Sequence, residues 1–117
     1  WIYFFGGFKR PPSSMKVRKV FLLKEAVSDI EEGRIFYDKK EKGVGDYFFY
    51  SLISDLESLK LYAGIHHKKF GFYRAFSKRF PFAIYYEVED DIVKVIAALD
   101  MRRNPSWIRE KLGNRKS

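Results

Sequence analysis

Apolar positions change their spacing several times along this chain, and each change predicts an element. Residues 17–23 (VRKVFLL) end in an unbroken apolar run, the pattern of a strand buried at its far end. From Lys24 the period lengthens. Ala26, Ile30, Gly33 and Tyr37 fall on one helical stripe, with Glu31, Glu32, Lys39 and Lys40 outside it. Gly43-Val44-Gly45 breaks that helix, and Asp46 is placed to cap the next. Phe49, Leu52, Ile53, Leu56 and Leu59 then repeat at helical spacing. The pattern predicts a helical hairpin over 24–42 and 47–62.

After Gly64 the period becomes two. Residues 72–78 set Phe72, Arg74, Phe76 and Lys78 on one side of a strand. Lys78–Pro81 is a predicted turn, because Pro81 cannot donate to a central ladder. Residues 82–88 form the next strand. Glu89-Asp90-Asp91 forms an acidic turn, and 92–99 is apolar enough for a central strand covered on both faces. Alternation sends Tyr85 and Tyr86 to opposite faces, one into the core and the other towards a concave surface. Asn104 reads as an N-cap, Pro105 as the first helical position and Gly113 as the helix end. The order β-α-α-β-β-β-α predicts an α+β domain, a helical hairpin on one face of a four-stranded, mostly antiparallel sheet.

The first 14 residues, WIYFFGGFKRPPSS, do not fit that pattern. Their apolar run precedes its cations, the reverse of a secretory signal. Pro11-Pro12-Ser13-Ser14 reads as a linker, and Met15 as a natural start. The expectation is an extension over 1–14, a domain over 15–112 and a basic tail over 113–117. Exposed, the WIYFF cluster would be adhesive, so it is expected to pack on a neighbouring apolar surface.

Composition narrows the class. The chain has 117 residues, 46% hydrophobic and 19% aromatic, which suffices for a packed core. Without cysteine there is no disulfide framework and no thiolate metal site. No apolar run reaches the ~18 residues of a membrane span, and the expected location is the cytoplasm. No cofactor is expected. The net charge of +8 is unevenly placed. Residues 66–82 carry Lys68, Lys69, Arg74, Lys78 and Arg79 and no acid, and 102–117 carry six cations against Glu110. The stretches between them are slightly acidic. Two basic blocks on an acidic body are the footprint of a polyanionic partner, the plainer alternative being solvated surface with a basic tail. Antiparallel neighbours could bring both blocks to one rim, making a basic hollow between the sheet and the last helix.

The segment FYRAFSKRFPFAIYYEVEDDIVKVIAALDMRRNPSWIREKL (72–112) carries a more specific signal. It has an arginine before a Phe-Pro-aromatic turn, an Ile-Tyr-Tyr strand, a short acidic turn and a closing Arg-Arg-X-Pro-X-X-Trp. With the element order over 15–112, it resembles the RelE/ParE superfamily, toxins of type II toxin–antitoxin modules. The resemblance implies a growth-arresting toxin silenced by an antitoxin encoded beside it. Two targets are implied: messenger RNA on the ribosome, cut by RelE-like members, and DNA gyrase, poisoned by ParE-like members. The leading expectation is a ParE-like toxin that binds its target. The first alternative is a ribosome-dependent, metal-independent endoribonuclease, and the second a non-toxic basic nucleic-acid-binding module.

For target binding the candidates are Lys68, Lys69, Arg74, Lys78, Arg79, Arg102, Arg103 and Trp107. If the chain is a ribonuclease, Lys78, Arg79 and Arg103 match the family's charge-stabilising cations. Cleavage also needs proton transfer to and from oxygen. Trp107 stands where the ribonucleases place a tyrosine, and indole can stack but not transfer protons. Asp100 stands near where some members carry histidine. His66 and His67 lack a third ligand at usable spacing, so no metal site is expected. An acidic, amphipathic antitoxin segment suits a basic groove with aromatic walls.

Overall fold

A computed structural model describes residues 1–4 and 17–115. The expectations for Lys9, Arg10, the Pro11–Ser14 linker and Met15 lie outside the described residues. The elements are β1 (Ile2–Tyr3), β2 (Lys19–Leu22), α1 (Lys24–Lys40), α2 (Val44–Tyr62), β3 (Lys68–Lys69), β4 (Phe72–Phe76), β5 (Phe82–Glu89), β6 (Ile92–Asp100) and α3 (Pro105–Arg115). They form one α+β fold with a six-stranded sheet in the order β1-β2-β6-β5-β4-β3. Only β2 against β6 is parallel.

The sheet has two strands more than the pattern predicts. Both are two-residue edges, too short to show a period. β1 comes from the N-terminal aromatic cluster, and its register sets Ile2 against Leu22 and Tyr3 against Phe21. Phe4 is buried in the core, and its amide donates to the Val20 carbonyl at 2.8 Å. Two other boundaries move. α2 begins at Val44 behind Gly43, whose φ of 94° is a glycine conformation, so Asp46 lies inside the first turn and does not cap it. Gly113 does not end the last helix, which continues to Arg115.

α1 and α2 cover one face of the sheet. Their buried Ala26, Ile30, Phe48, Leu52, Leu56 and Leu59 meet Val20, Leu22, Ala75, Phe82, Ile84, Tyr86, Val93 and Val95. The helices approach closely at Gly33, where an added Cβ would lie 2.5 Å from the Phe48 ring. α3 covers part of the other face, with Ile108 and Leu112 on Phe72, Ala83, Tyr85, Ile96, Ala97 and Leu99. Register between β5 and β6 slips at Tyr85/Tyr86, so Ile96 is an extra residue in β6. That bulge lets Val93 and Val95 face the helical hairpin while Ile96 and Ala97 both serve the α3 side. Among the described residues no helix is long and apolar enough to cross a membrane.

Candidate functional site

Tyr85 and Tyr86 do lie on opposite faces, yet both are buried. The expectation that one lines an open concave wall is not met, because α3 closes over Tyr85. Its hydroxyl is bonded to Arg74, and burial pushes the phenol above its ordinary range. Tyr86 points to the hairpin side. There its hydroxyl accepts from the Gly64 amide at 2.8 Å and meets His66 Nδ1 at 2.6 Å. Burial raises the Tyr86 phenol and lowers the His66 imidazole.

The cations of the two basic blocks separate into distinct groups. Arg74 lies on the α3 face of β4, its guanidinium 4.8 Å from the centre of the exposed Phe76 ring. Lys69 and Arg109 hold opposite ends of a neighbouring arrangement on Phe70, at 5.1 and 5.3 Å from its ring. Lys68 stands on Tyr73, at 4.9 Å. Phe70 and Gly71 form the two-residue turn between β3 and β4, with φ of 56° and 85°. Asn and Gly suit such a turn, and a bulky ring there is uncommon. α3 sends Ile108 and Leu112 inward, which leaves Arg109 on the β4 flank of the helix. Arg74, Phe76, Lys69, Phe70 and Arg109 therefore make a belt of cations seated on aromatic rings.

Arg103 and Trp107 lie on the other flank of α3. The Arg103 guanidinium is 4.3 Å from the indole centre, and Lys111 approaches the same ring at 5.4 Å. They border a cavity of about 410 Å³ shared with Asp29, Glu32, Gly33, Phe36, Phe82, Ala98, Leu99 and Asp100. Arg102 does not join them. It folds back on Asp100 through two hydrogen bonds of 3.0 and 2.7 Å and reaches the Tyr37 hydroxyl. That pairing holds the Asp100 carboxyl below its ordinary range and raises the guanidinium.

Lys78 and Arg79 are likewise displaced from Arg74. After Phe76 the chain bends towards α2, and Ser77 Oγ donates to the buried Asp55 at 2.6 Å. Burial raises the Asp55 carboxyl, against hydrogen bonds from Ser77 and the Lys78 amide and the charges of Lys78 and Arg79. Lys78 lines a groove with Tyr50, Ile53 and Glu57 of α2. The expected alignment of Lys78 with Phe72, Arg74 and Phe76 fails because the strand ends at Phe76. So the seven candidate cations and Trp107 do not converge on one hollow. Lys69 and Arg74 share the belt, Arg103 and Trp107 share the cavity, Lys68 stands apart on Tyr73, Arg102 is paired with Asp100, and Lys78 and Arg79 are exposed near Asp55.

Arg109, Phe70 and Phe76 were missed from the sequence. A helical wheel of 105–115 separates Arg109 from Trp107 and Lys111, which was the available signal. Nothing local places Phe70 beneath it. Among the described residues, no group of three His, Asp or Glu side chains is arranged to hold a metal ion.

No family model matches the sequence, and no curated protein does. Among solved structures, the chain is similar to one in the chromosomal ParDE TA system from P. aeruginosa. That likeness has a TM-score of 0.64 at 12% identity and covers 71% of this chain and 95% of that one. At such identity it is the fold, helical hairpin on a mixed sheet, that the two chains have in common.

Proposed function

We propose that this chain is the toxin of a toxin–antitoxin pair, arresting growth in the cytoplasm by binding a macromolecular target and silenced by an acidic antitoxin. The target class is the ParE one, a protein such as DNA gyrase. The observation that carries the reading is the belt of Lys69, Phe70, Arg74, Phe76 and Arg109. Its cations are held in place by rings, and Arg74 also by the Tyr85 hydroxyl. Arginines fixed in this way recognise carboxylate or phosphate with little further loss of side-chain freedom. One proton-transfer group does stand beside them: His67 lies across from Arg74, whose amide donates to its carbonyl at 3.0 Å. His66 is bonded to Tyr86 on the hairpin side, Asp100 is held ionised by Arg102, and Tyr85 is buried. The ring-seated cations carry the binding reading, and the fold shared with a ParDE chain agrees.

The test is induction in growing bacteria beside an Arg74→Ala/Arg109→Ala double variant. Wild type should stop growth and inhibit gyrase supercoiling, and the variant should do neither at equal abundance. Arg74→Ala takes a partner from the buried Tyr85 hydroxyl, so the variant's melting temperature is measured beside growth and an intact fold is required before loss of arrest is counted. Unimpeded growth with wild type would overturn the toxin reading. Active gyrase with messages cut in a translation extract would replace the target by ribosome-bound RNA. Lys78, Arg79 and Arg103 would then become the residues to vary.

A further inference from the structure

One flank of α1, with Asp29, Glu32, Gly33 and Phe36, walls the 410 Å³ cavity that Arg103 and Trp107 close from the opposite side. Between the walls lies an apolar floor of Phe82, Ala98 and Leu99, all buried. The cavity holds three carboxylates and one guanidinium, and they are not equivalent. Asp100 accepts from the Arg102 side chain at 3.0 and 2.7 Å and from the Arg102 amide at 2.8 Å. Asp29 accepts from the Ala98 amide at 3.0 Å and from Arg115 Nη2 at 2.8 Å, in an ion pair less than a tenth exposed on either side. The protein itself answers both of these charges.

Glu32 and Arg103 differ from them. Both are exposed. Among the described residues the Glu32 carboxylate has no hydrogen bond or ion pair, and Arg115 acts on it only through its field. The Arg103 amide closes on the Asp100 carbonyl at 3.2 Å, and its guanidinium rests 4.3 Å from the centre of the Trp107 ring. Its carboxylate neighbour Asp100 is taken by Arg102. Glu32 and Arg103 stand on opposite walls and do not pair with each other. One negative and one positive charge therefore face an apolar floor, each without a partner.

We propose that this cavity binds a free α-amino acid with a large apolar side chain. The ammonium goes to Glu32 and the carboxylate to Arg103. The side chain lies on the floor beside Phe36, whose ring is about half exposed. A simple anion would meet the repulsion of Glu32 and a simple cation that of Arg103, so a ligand carrying both charges is preferred to either. A guanidinium already settled on a ring offers its paired donors to a carboxylate with little further loss of freedom. The volume falls at the small end of the range for metabolite pockets. Arg103 and Trp107 occupy the flank of α3 away from Arg109, so this site is separate from the belt and does not depend on the toxin reading.

The probe is L-phenylalanine, titrated into the full chain while backbone amides and the Trp107 indole N–H are followed by NMR. A ligand of this size in a half-open site is expected to bind with a dissociation constant of about 1 mM. Shifts should concentrate at Glu32, Gly33, Leu99, Arg103 and Trp107. Three analogues dissect the contacts: 3-phenylpropionate lacks the ammonium, phenethylamine lacks the carboxylate, and glycine lacks the side chain. Each should bind about tenfold more weakly or worse, the loss of one contact. Glu32→Gln should erase the preference for phenylalanine over 3-phenylpropionate, and Arg103→Gln the preference over phenethylamine. Both side chains are exposed, so the variants should keep the wild-type amide spectrum outside the cavity, and the analogue series on wild type stands without them. Unmoved cavity signals at about 20 mM phenylalanine would overturn the proposal. So would any of the three analogues binding wild type as tightly as phenylalanine, or folded variants that keep both preferences.

Discussion

On the hairpin side of the sheet, two helices of 17 and 19 residues bury Phe48, Leu52, Leu56 and Leu59 completely, and Tyr37, Phe48, Phe80 and Phe82 interlock ring against ring. On the opposite side a single 11-residue helix buries Ile108 and Leu112 against the strands, with Trp107 partly covered beside them. The two sides also use charge differently. On the hairpin side Arg102 is paired with Asp100, and it is lysines, Lys40 and Lys68, that lie over the Phe36 and Tyr73 rings. On the α3 side Lys69, Arg74, Arg103 and Arg109 lie over Phe70, Phe76 and Trp107, while Arg115 is paired with Asp29. The lesson is that net charge does not locate a binding surface. What matters is how each cation is held, and the arginines seated on rings, Arg74, Arg103 and Arg109, lie where the covering layer is thin.

The comparison breaks most readily in stability. Phe48→Ala removes a ring buried completely between α1, α2, Phe80 and Phe82, and should cost about 3–5 kcal/mol in chemical denaturation. Leu112→Ala should cost about 2 kcal/mol, the low end for such a truncation, because α3 can resettle on the sheet. Equal losses would mean that α3 is as integral to the fold as the hairpin.

The same contrast explains what could be read from the sequence. The hairpin stripe of Ala26, Ile30 and Gly33 was readable because helical period and burial coincide there. The order from β4 to α3 was readable from alternation, Pro81 and Asn104, whose side chain accepts from the Ser106 amide at 2.9 Å as a cap should. The edge strands were too short for any period. The destinations of the cations were hidden for a different reason. Arg74, Lys78, Arg102 and Arg103 look alike along the chain, and tertiary acids decide their roles. Asp55 lies 22 residues before Ser77, and Asp100 competes locally for Arg102 before Arg103 can. The bulge at Ile96, which decides what faces α3, has no signature in an all-apolar run.

A smaller effect separates function from stability on the α3 side. Phe70 holds a left-handed φ of 56° that costs about 1 kcal/mol or more in a non-glycine residue. Phe70→Gly relieves that strain and loses partial burial of the ring. The two changes should cancel to within about 1 kcal/mol in denaturant midpoint analysis. Growth arrest should nonetheless weaken, since Lys69 and Arg109 lose the ring that positions them. Undiminished arrest with stability unchanged would show that the ring serves only the turn, and would shift attention to Arg74 and Phe76.

The smallest expected effect lies on the hairpin side and depends on pH. Tyr86 accepts from the Gly64 amide, so its own proton is available for His66 Nδ1, which requires an unprotonated nitrogen there. Burial lowers the imidazole below its ordinary 6.5. A lowered histidine binds protons less readily in the folded chain than in the unfolded one. Its contribution is therefore full above the unfolded value near 6.5 and is lost as pH falls through that value towards the folded one. Asp29 and Asp55 are raised from 3.8 by burial and act with the opposite sign at lower pH. His66→Asn keeps an acceptor for Tyr86 and removes the titration. Melting temperature followed from pH 7.5 down to 5 (a range spanning the ordinary histidine value) should fall more steeply in wild type than in His66→Asn. Parallel slopes would mean that the loop from Gly64 to His66 is held by the amide bond to Tyr86 alone, and that this side of the sheet is as indifferent to protonation as its apolar core suggests.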